Sequence, residues 1–427
     1  MAFAFAVRLG VGIWWQAHLP SGVRFGFGDS ESYWCLGEAI ADGEPYEYRG
    51  AEARIFRAPG YPFLLAALFR LCGPSVLAAR AASAACGALA VGGLYWLGQR
   101  LFDRTAARFA AACAALYPGQ VLLGALVLSE APFSAVMLLE FACWVEAWRS
   151  KSRCRAIGFY LATGVAAGLA TLIRPSWFLF TPFALAAGVV VARRHRRHLM
   201  AAPIALAAFA VVMLPWWIRN ARLTGRFVPT TLTVGASLYD GLNQQATGAS
   251  NMGPVTARWA ELRRELASQT ATTPVSLELK VDQALRHEAI DWARQHPWSA
   301  GRLALIKLVR MWNLWPNDAQ FRRWPLRLAV ALTYGPLLVL GLVGSWRFRH
   351  LGWPIVLCLL PAIYFSLLHM VFVSSLRYRQ PALLLLALPA AALLAQVVQP
   401  RRAGNSRPRT EKNLKDQRDQ KNKNPEP

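Results

Sequence analysis

Ten predominantly apolar runs constrain the fold of this 427-residue chain more than any other feature. A bilayer core takes about 20 apolar residues as a helix, and each backbone polar group must be satisfied within it. Only 16% of the residues are charged, against about 25% in soluble domains. The sequence therefore predicts an all-α polytopic membrane protein with about ten transmembrane helices. The runs lie at 1–19, 75–97, 106–118, 128–148, 156–173, 176–192, 199–217, 326–345, 353–373 and 381–399.

Basic residues occupy the short loops that would share one side of this bundle. The formal net charge of +24 would indicate nucleic acid in a soluble protein. Here the positive-inside rule makes the basic side cytoplasmic, together with both termini. No nucleic-acid partner is therefore expected. The basic residues are Arg100, Arg104, Arg108, Arg149, Lys151, Arg153, Arg155, Arg193, Arg194, Arg196, Arg197, Arg347, Arg349 and the tail from Arg401.

Three polar segments lie outside the predicted bilayer. The exported loop 20–62 is rich in acids and aromatics, and loops of this length are usually functional. Residues 218–325 form a second exported region, which is partly helical from about Pro274. The basic tail 400–427 has almost no apolar residues and is expected to be disordered in the cytoplasm. The membrane parts are then an N-terminal module at 1–217, which carries the loop 20–62, and C-terminal helices at 326–399.

Acidic residues stand at the exported ends of the apolar runs. Asp29 and Glu31 follow the first run, and Glu130 begins the fourth. A carboxylate at the membrane surface can act as a general base. The alternatives are a solvated acidic loop, a helix cap at Asp29 or Ser30, and a Glu130 that is favoured only by the helix dipole.

Four arginines lie on the exported side, against the positive-inside trend: Arg57, Arg174, Arg219 and Arg377. Guanidinium groups match phosphate oxygens, so the set indicates a bound anion. Snorkelling to the interface would explain any single one of them.

Several familiar site motifs are missing from the sequence. There is no Walker A loop, no HExxH, no GxSxG, and no CxxC pair among the seven cysteines. Neither a nucleotide site, a cofactor nor a metal is predicted. The donor of any group-transfer reaction should therefore be a membrane-borne molecule.

A series of short motifs resembles the GT-C superfamily of membrane glycosyltransferases, specifically the bacterial glycosyltransferase family 39 type. That group includes protein O-mannosyltransferases and aminoarabinose transferases that act on lipid A. The resemblance covers about residues 1–399. The motifs are Gly28-Asp29 with Tyr33, Gly43 and Tyr46, Arg57-Ala58-Pro59-Gly60-Tyr61-Pro62, Ser129-Glu130, Arg174-Pro175, Pro215-Trp216-Trp217-Ile218-Arg219-Asn220 and Arg377-Tyr378-Arg379-Gln380-Pro381.

The resemblance implies a GT-C-like bundle that transfers a hexosyl or pentosyl group from a polyprenyl-phosphate donor to a lipid, glycan or protein acceptor. The reaction would take place on the exported face of a bacterial inner membrane. Asp29 would be the base, with Glu31 as an alternative because Ser30 separates the two acids, and Glu130 a second acid of the cavity. The four exported arginines would bind the donor phosphate. The substrate cavity would be lined by Tyr33, Tyr61, Asn220 and Tyr378.

Two other functions stay open. A surface-polysaccharide polymerase or ligase would also use a lipid-linked donor, and it would normally carry its large exported loop late in the chain, as the region 218–325 partly does. A secondary transporter would show two related halves with interrupted helices, and no convincing internal repeat is seen. The early loop with Asp29 favours the transferase.

Overall fold

A computed structural model describes residues 1–191, 196–268, 273–314 and 324–398, whereas the predicted tail 400–427 lies outside these ranges. Within them the chain forms seventeen α-helices and no strand, which confirms the all-α fold class. In chain order the helices are Ala2–Ala17 (α1), Gly28–Asp42 (α2), Gly60–Cys72 (α3), Val76–Leu101 (α4), Arg104–Leu116 (α5), Pro118–Ala125 (α6), Glu130–Arg149 (α7), Arg153–Ile173 (α8), Phe180–Val191 (α9), Arg196–Thr224 (α10), Val234–Gly241 (α11), Met252–Ser268 (α12), Pro274–Gln295 (α13), Pro297–Trp312 (α14), Trp324–Arg347 (α15), Trp353–Val371 (α16) and Leu376–Val398 (α17).

Seven of the described helices are long and apolar enough to cross a membrane: α4, α7, α8, α10, α15, α16 and α17. The pair α5 and α6 would make an eighth span, bent by 57° where one helix gives way to the other. Each of the ten predicted runs is helical. Two of them, α1 with 16 residues and α9 with 12, are shorter than the other spans.

Proline ends two of these helices. The helix α5 stops before Pro118, and α8 stops at Ile173, just before a 3-10 turn at Pro175–Trp177. Proline has no N–H to donate and clashes with the preceding turn, so a helix cannot continue through it without a kink. The second break leaves Arg174 in extended backbone at the end of α8.

The first polar segment is more ordered than a loop, because it contains α2 and the start of α3. These two helices pack against each other, and a Cβ on Gly37 would lie 2.9 Å from the Cβ of Leu65. A Cβ on Gly60 would lie 2.7 Å from the backbone of Leu172, so α3 begins directly against the end of α8. Glycine is needed at such close approaches. The packing brings the Arg57 segment beside the start of α2.

Small residues let the spans approach closely. A Cβ on Gly164 in α8 would lie 2.1 Å from the carbonyl oxygen of Ala205 in α10. The same is true of Gly344 in α15, whose added Cβ would meet the carbonyl of Pro389 in α17 at 2.2 Å. Membrane helices associate by this kind of backbone contact, because lipid gives no hydrophobic driving force between them.

The described part of the second polar region is largely helical, and α13 begins at Pro274. Its apolar face buries Leu277, Val281 and Leu285 against α11 and α12. The carboxylate of Asp282 accepts a hydrogen bond from the Gly235 N–H at 2.6 Å and so ties α13 to the start of α11.

Candidate active site

Helix α2 places Asp29 and Glu31 on different sides. Residues two apart on an α-helix are rotated by about 200°, whereas residues three apart share a face. Ser32 accordingly lies beside Asp29, and both receive hydrogen bonds from Arg57. Glu31 instead accepts a hydrogen bond from the thiol of Cys35, four residues further along α2, at 3.6 Å. The phase of α2 therefore brings Asp29 to the other charged groups described below, and leaves Glu31 outside them.

Two arginines from distant parts of the chain bind the Asp29 carboxylate. Arg57 Nη2 lies 2.7 Å from Oδ1, and Arg377 Nη2 lies 2.9 Å from Oδ2. Arg57 Nε also donates to Ser32 Oγ at 3.0 Å, and its guanidinium lies over the ring of Tyr33. Each carboxylate oxygen thus has its own charged donor.

Burial and the two arginines have opposite effects on the pKa of Asp29. Burial by itself would raise the pKa, but the charges and hydrogen bonds of Arg57 and Arg377 outweigh it and lower the pKa to about 2. Asp29 is therefore a carboxylate at neutral pH, and its side chain is 33% exposed.

Glu130 lies deeper, as the first residue of α7, and is 1% exposed. Its Oε1 accepts from Arg377 Nε at 2.8 Å and pairs with Arg174 Nη1 at 3.1 Å. The N-terminal end of a helix favours a negative charge, and a buried carboxylate needs such partners. Glu130 Oε2 has no hydrogen-bond partner among the described residues.

We call Asp29, Arg57, Glu130, Arg174 and Arg377 the ion-pair cluster. Arg377 is its centre, because it bonds both acids. The three arginines outnumber the two carboxylates, so the cluster carries one excess positive charge. Arg57, Arg377 and Asp29 are partly exposed, while Arg174 and Glu130 are buried behind them. This arrangement has the charge and the access that an incoming anion requires.

Arg219 lies outside the ion-pair cluster. Its guanidinium donates to the backbone carbonyls of Arg54 at 3.2 Å and Tyr46 at 3.4 Å, and it lies over the ring of Trp216. Tyr46 in turn donates its hydroxyl to the Arg57 carbonyl at 3.0 Å. Arg219 therefore supports the segment that carries Arg57 without reaching Asp29.

Asn220 is fully buried, and its Oδ1 accepts a long hydrogen bond from Arg219 Nη1 at 3.5 Å. Its Nδ2 donates to the carbonyls of Val228 at 3.1 Å and Thr230 at 3.5 Å. These bonds fix the turn that follows α10, so the geometry gives Asn220 a role in packing.

The three predicted tyrosines stand behind the ion-pair cluster. Tyr33 donates to Ser129 Oγ at 3.4 Å and meets Tyr61 edge-on at 5.0 Å. The Tyr378 ring lies under the Arg174 guanidinium at 5.5 Å. Tyr33 and Tyr61 are buried and Tyr378 is half-buried. Tyr33 and Tyr378 contact arginines of the cluster, whereas Tyr61 packs against Tyr33.

Sequence reasoning missed His369, which stacks on Tyr378 with ring centroids 4.2 Å apart and planes 7° from parallel. Its Nδ1 lies 2.8 Å from the carbonyl of Val373, and its Nε2 has no partner among the described residues. The signal that could have found it is a lone ionisable residue near the end of an apolar run.

No group of three or more His, Cys, Asp or Glu side chains suited to a metal ion is found in the described ranges. The two acids of the ion-pair cluster are joined through the Arg377 guanidinium. Their partners in this structure are therefore cationic side chains.

Comparisons with known proteins agree with this architecture. Residues 57–218 match the family described as dolichyl-phosphate-mannose-protein mannosyltransferase. No curated protein matches the sequence. The matched range contains Arg57, Glu130 and Arg174, three of the five residues of the ion-pair cluster.

Two solved structures share the fold over nearly the whole chain. The archaeal oligosaccharyltransferase AglB from Archaeoglobus fulgidus, in complex with an inhibitory peptide and a dolichol-phosphate, has a TM-score of 0.54 and 16% identity and covers 99% of this chain. The apo Archaeoglobus fulgidus oligosaccharyltransferase has a TM-score of 0.57 and 18% identity and covers 93% of this chain. The matches span 52% and 50% of those proteins, so this chain corresponds to about half of their length.

A third structure is less similar. ArnT from Cupriavidus metallidurans, bound to undecaprenyl phosphate, has a TM-score of 0.44 and 16% identity, with 92% of this chain and 78% of ArnT covered. The family match over residues 57–218 and the fold shared with the oligosaccharyltransferases agree with the resemblance predicted from the motifs, and the long apolar helices make this chain a multi-pass membrane protein.

Proposed function

We propose that this protein transfers a hexosyl or pentosyl group from a polyprenyl-phosphate donor to a hydroxyl or amine of a lipid, glycan or protein acceptor. The reaction takes place on the exported face of the inner membrane, with both termini in the cytoplasm. The observation that carries the proposal is the ion-pair cluster, which combines an excess of arginine with a partly exposed carboxylate at one end of a membrane bundle.

The arginines would bind the phosphate of the donor. When the bond between sugar and phosphate breaks, its electron pair goes to the phosphate, and negative charge builds on oxygens that guanidinium groups stabilise. Arg57 and Arg377 are the partly exposed members, so they are placed for this contact. Arg174 is buried and holds Glu130 in place.

Asp29 would accept the proton of the acceptor as its oxygen or nitrogen attacks the sugar in one inverting displacement. A carboxylate with a pKa of about 2 is a weak base while both arginines hold it. A donor phosphate that binds Arg57 and Arg377 would compete for their N–H groups. The pKa of Asp29 would then rise, so that the base becomes effective only when the donor is bound.

The relatives support a lipid-phosphate donor. The matched family is named for dolichyl-phosphate-mannose, and the AglB structure contains dolichol-phosphate. The family is also named for a protein acceptor, and the AglB structure contains a peptide. For this chain the acceptor class is left to experiment.

The test uses purified protein in proteoliposomes with a panel of radiolabelled undecaprenyl-phosphate sugars. We expect transfer by the wild type and a loss of about 100-fold or more in Asp29→Asn, the range that a general base contributes. Glu31→Gln is the matched control, because it removes a carboxylate two residues away that faces Cys35. Size-exclusion chromatography and thermal midpoints check that each variant is folded.

Other outcomes would change the proposal. Activity that survives in Asp29→Asn but is lost in Glu31→Gln would move the base to Glu31. Products that contain many repeated sugar units would favour a polysaccharide polymerase. If no sugar is transferred from any donor in the panel, the result would argue against a transferase and favour a secondary transporter.

A further inference from the structure

Two buried arginines donate hydrogen bonds to backbone carbonyls at places where a helix ends within the membrane bundle. The last carbonyls of a helix have no partner within it, and no water reaches them in the lipid core. Where α5 ends, Arg8 of α1 donates to the carbonyls of Ala114 at 2.7 Å and Ala115 at 3.3 Å. Where α6 ends, Arg80 of α4 donates to the carbonyl of Ala125 at 2.9 Å. Both arginines are buried, and a cation there also suits the helix dipole.

A third arginine caps α14 in the same way. Arg379 of α17 is fully buried and donates to the carbonyls of Met311 at 2.8 Å and Asn313 at 2.6 Å. Tyr334 of α15 donates its hydroxyl to the carbonyl between them, that of Trp312, at 3.0 Å. Both α15 and α17 are spans, so the end of α14 lies between two membrane helices.

Contacts with α16 give the depth of α14. Lys307 Nζ donates to the carbonyl of Val371, the last residue of α16, at 2.8 Å. Trp312 Nε1 donates to Ser366 Oγ at 2.8 Å. On both helices these contacts are five residues apart (371 − 366 and 312 − 307), which is about 7.5 Å of helix. Thus α14 runs against α16, from the end of the bundle that carries Asp29 towards its middle.

The outer face of α14 is exposed, and it is apolar beyond Arg302. Trp298 and the exposed Arg302 lie at its start, and Leu305 and Val309 follow at helical spacing with 61% and 67% exposure. The opposite face, with Leu303 and Met311, is buried in the bundle. A stripe of this composition is unfavourable in water and fits hydrocarbon.

We propose that α14 is a re-entrant membrane helix that enters the bilayer from the side that carries Asp29, with the stripe of Leu305 and Val309 against lipid acyl chains and with Trp298 and Arg302 at the membrane surface. Arg379 is its C-terminal cap and does not bind substrate. The predicted exported region 218–325 is thereby divided, since α11, α12 and α13 stay outside the membrane while α14 returns into it. This proposal does not depend on the reaction that the protein catalyses.

The first experiment measures access to water in proteoliposomes. Leu305→Cys, Val309→Cys and the control Arg294→Cys, at an exposed position of α13, are treated with a membrane-impermeant maleimide or with a lipid-soluble one. Peptide-resolved mass spectrometry separates the new thiol from the seven native cysteines. The impermeant reagent is charged and does not enter hydrocarbon, so we expect it to label positions 305 and 309 at about a tenth of position 294 or less.

The lipid-soluble reagent should label positions 305 and 309 in the same vesicles. Labelling of both by the impermeant reagent at the level of position 294 would place α14 in water and overturn the proposal. Failure of both reagents would mean that protein covers the stripe, which overturns the lipid contact.

The second experiment tests the cap. Both bonds come from Arg379 Nη1. Arg379→Lys keeps the charge but is shorter by one bond, so its ammonium does not reach the position of Nη1 and the bonds to the carbonyls are weakened. We expect the impermeant reagent to label Val309→Cys several-fold more in this background, while the KM for the donor is unchanged. If Arg379→Lys does not fold, Tyr334→Phe removes one bond to the same helix end and is tested identically. A raised donor KM with unchanged labelling would make Arg379 a substrate contact and overturn the cap.

Discussion

Buried arginines in this protein meet two kinds of partner. In the ion-pair cluster the arginines bind carboxylates, whereas at the ends of α5, α6 and α14 the arginines bind backbone carbonyls. The first group is partly open to solvent and holds Asp29 by exchangeable ion pairs. The second group, Arg8, Arg80 and Arg379, is sealed inside the bundle.

The comparison shows that an ionisable residue in a membrane is not by itself a sign of function. Such residues are functional hypotheses by default because they are costly to bury. Here the cost is offset in the second group by satisfying helix ends that the membrane would otherwise leave unpaired. An arginine paired with an acid can exchange that acid for a phosphate, while an arginine that caps a helix cannot leave without exposing carbonyls to lipid.

The largest expected effect is at Arg377. Arg377→Met should lower kcat/KM for the donor by about 100- to 1000-fold, because it removes the donor shared by Asp29 and Glu130 and a charge at the phosphate site. Arg377→Lys should recover a small part of the activity, since a single ammonium cannot bond both acids in the same geometry. Donor titrations in proteoliposomes measure this.

Arg222→Met is the matched control, because Arg222 is an exposed arginine near the end of α10 and lies outside the cluster. Activity of Arg377→Met within about threefold of this control would remove Arg377 from the site, since that difference is less than 1 kcal/mol.

Arg8→Met should act on stability. It leaves the carbonyls of Ala114 and Ala115 without partners, which costs about 1–3 kcal/mol for each unsatisfied buried group. We expect a lower thermal midpoint in detergent and less folded protein, with an unchanged donor KM in the folded fraction. A raised KM at an unchanged midpoint would contradict the separation of the two groups of arginine.

Glu278 is an acid whose partners are backbone N–H groups, just as the capping arginines have backbone carbonyls as partners. Its carboxylate accepts from the N–H groups of Arg54 at 3.0 Å and Ile55 at 3.2 Å. Burial raises its pKa to about 7, although these hydrogen bonds and Arg219 act in the opposite direction; Asp282 adds to the rise. The folded state therefore holds the proton more tightly than the unfolded chain, and this stabilisation is lost as pH rises from about 4.5 to about 7.

We expect the thermal midpoint to fall by a few degrees across that range, and the fall to be smaller in Glu278→Gln. Melting curves between pH 4.5 and 8 measure it. An identical pH dependence in the two proteins would show that Glu278 does not titrate in this range.

The smallest effect is expected at Arg219. Because it contacts backbone carbonyls and two aromatic rings, Arg219→Met should change donor KM by less than about threefold, below 1 kcal/mol, and lower the thermal midpoint slightly. Arg174→Met is the comparison, since it leaves Glu130 buried with one partner fewer and should reduce activity more strongly. Equal losses of activity in both would return Arg219 to the phosphate site.

Much of the candidate site follows from the sequence. The motifs point to Asp29, Glu130 and the arginines at one end of the bundle, and Arg57, Arg174 and Arg377 do meet those acids. The sequence could not separate Asp29 from Glu31, because that depends on where α2 begins and how it is rotated. The sequence does mark His369 as a lone ionisable residue in an apolar run, but its stacking on Tyr378 depends on how α16 and α17 pack.

The sequence by itself determined the membrane fold, since long apolar runs can satisfy their backbone in lipid only as helices, and basic loops predict their orientation. Only the tertiary structure decided which arginine does what. Arg377 and Arg379 are two residues apart on α17, and a rotation of about 200° turns the first to Asp29 and the second to the end of α14. These contacts join residues as far as 348 positions apart in the chain, so they exist only once the helices have packed.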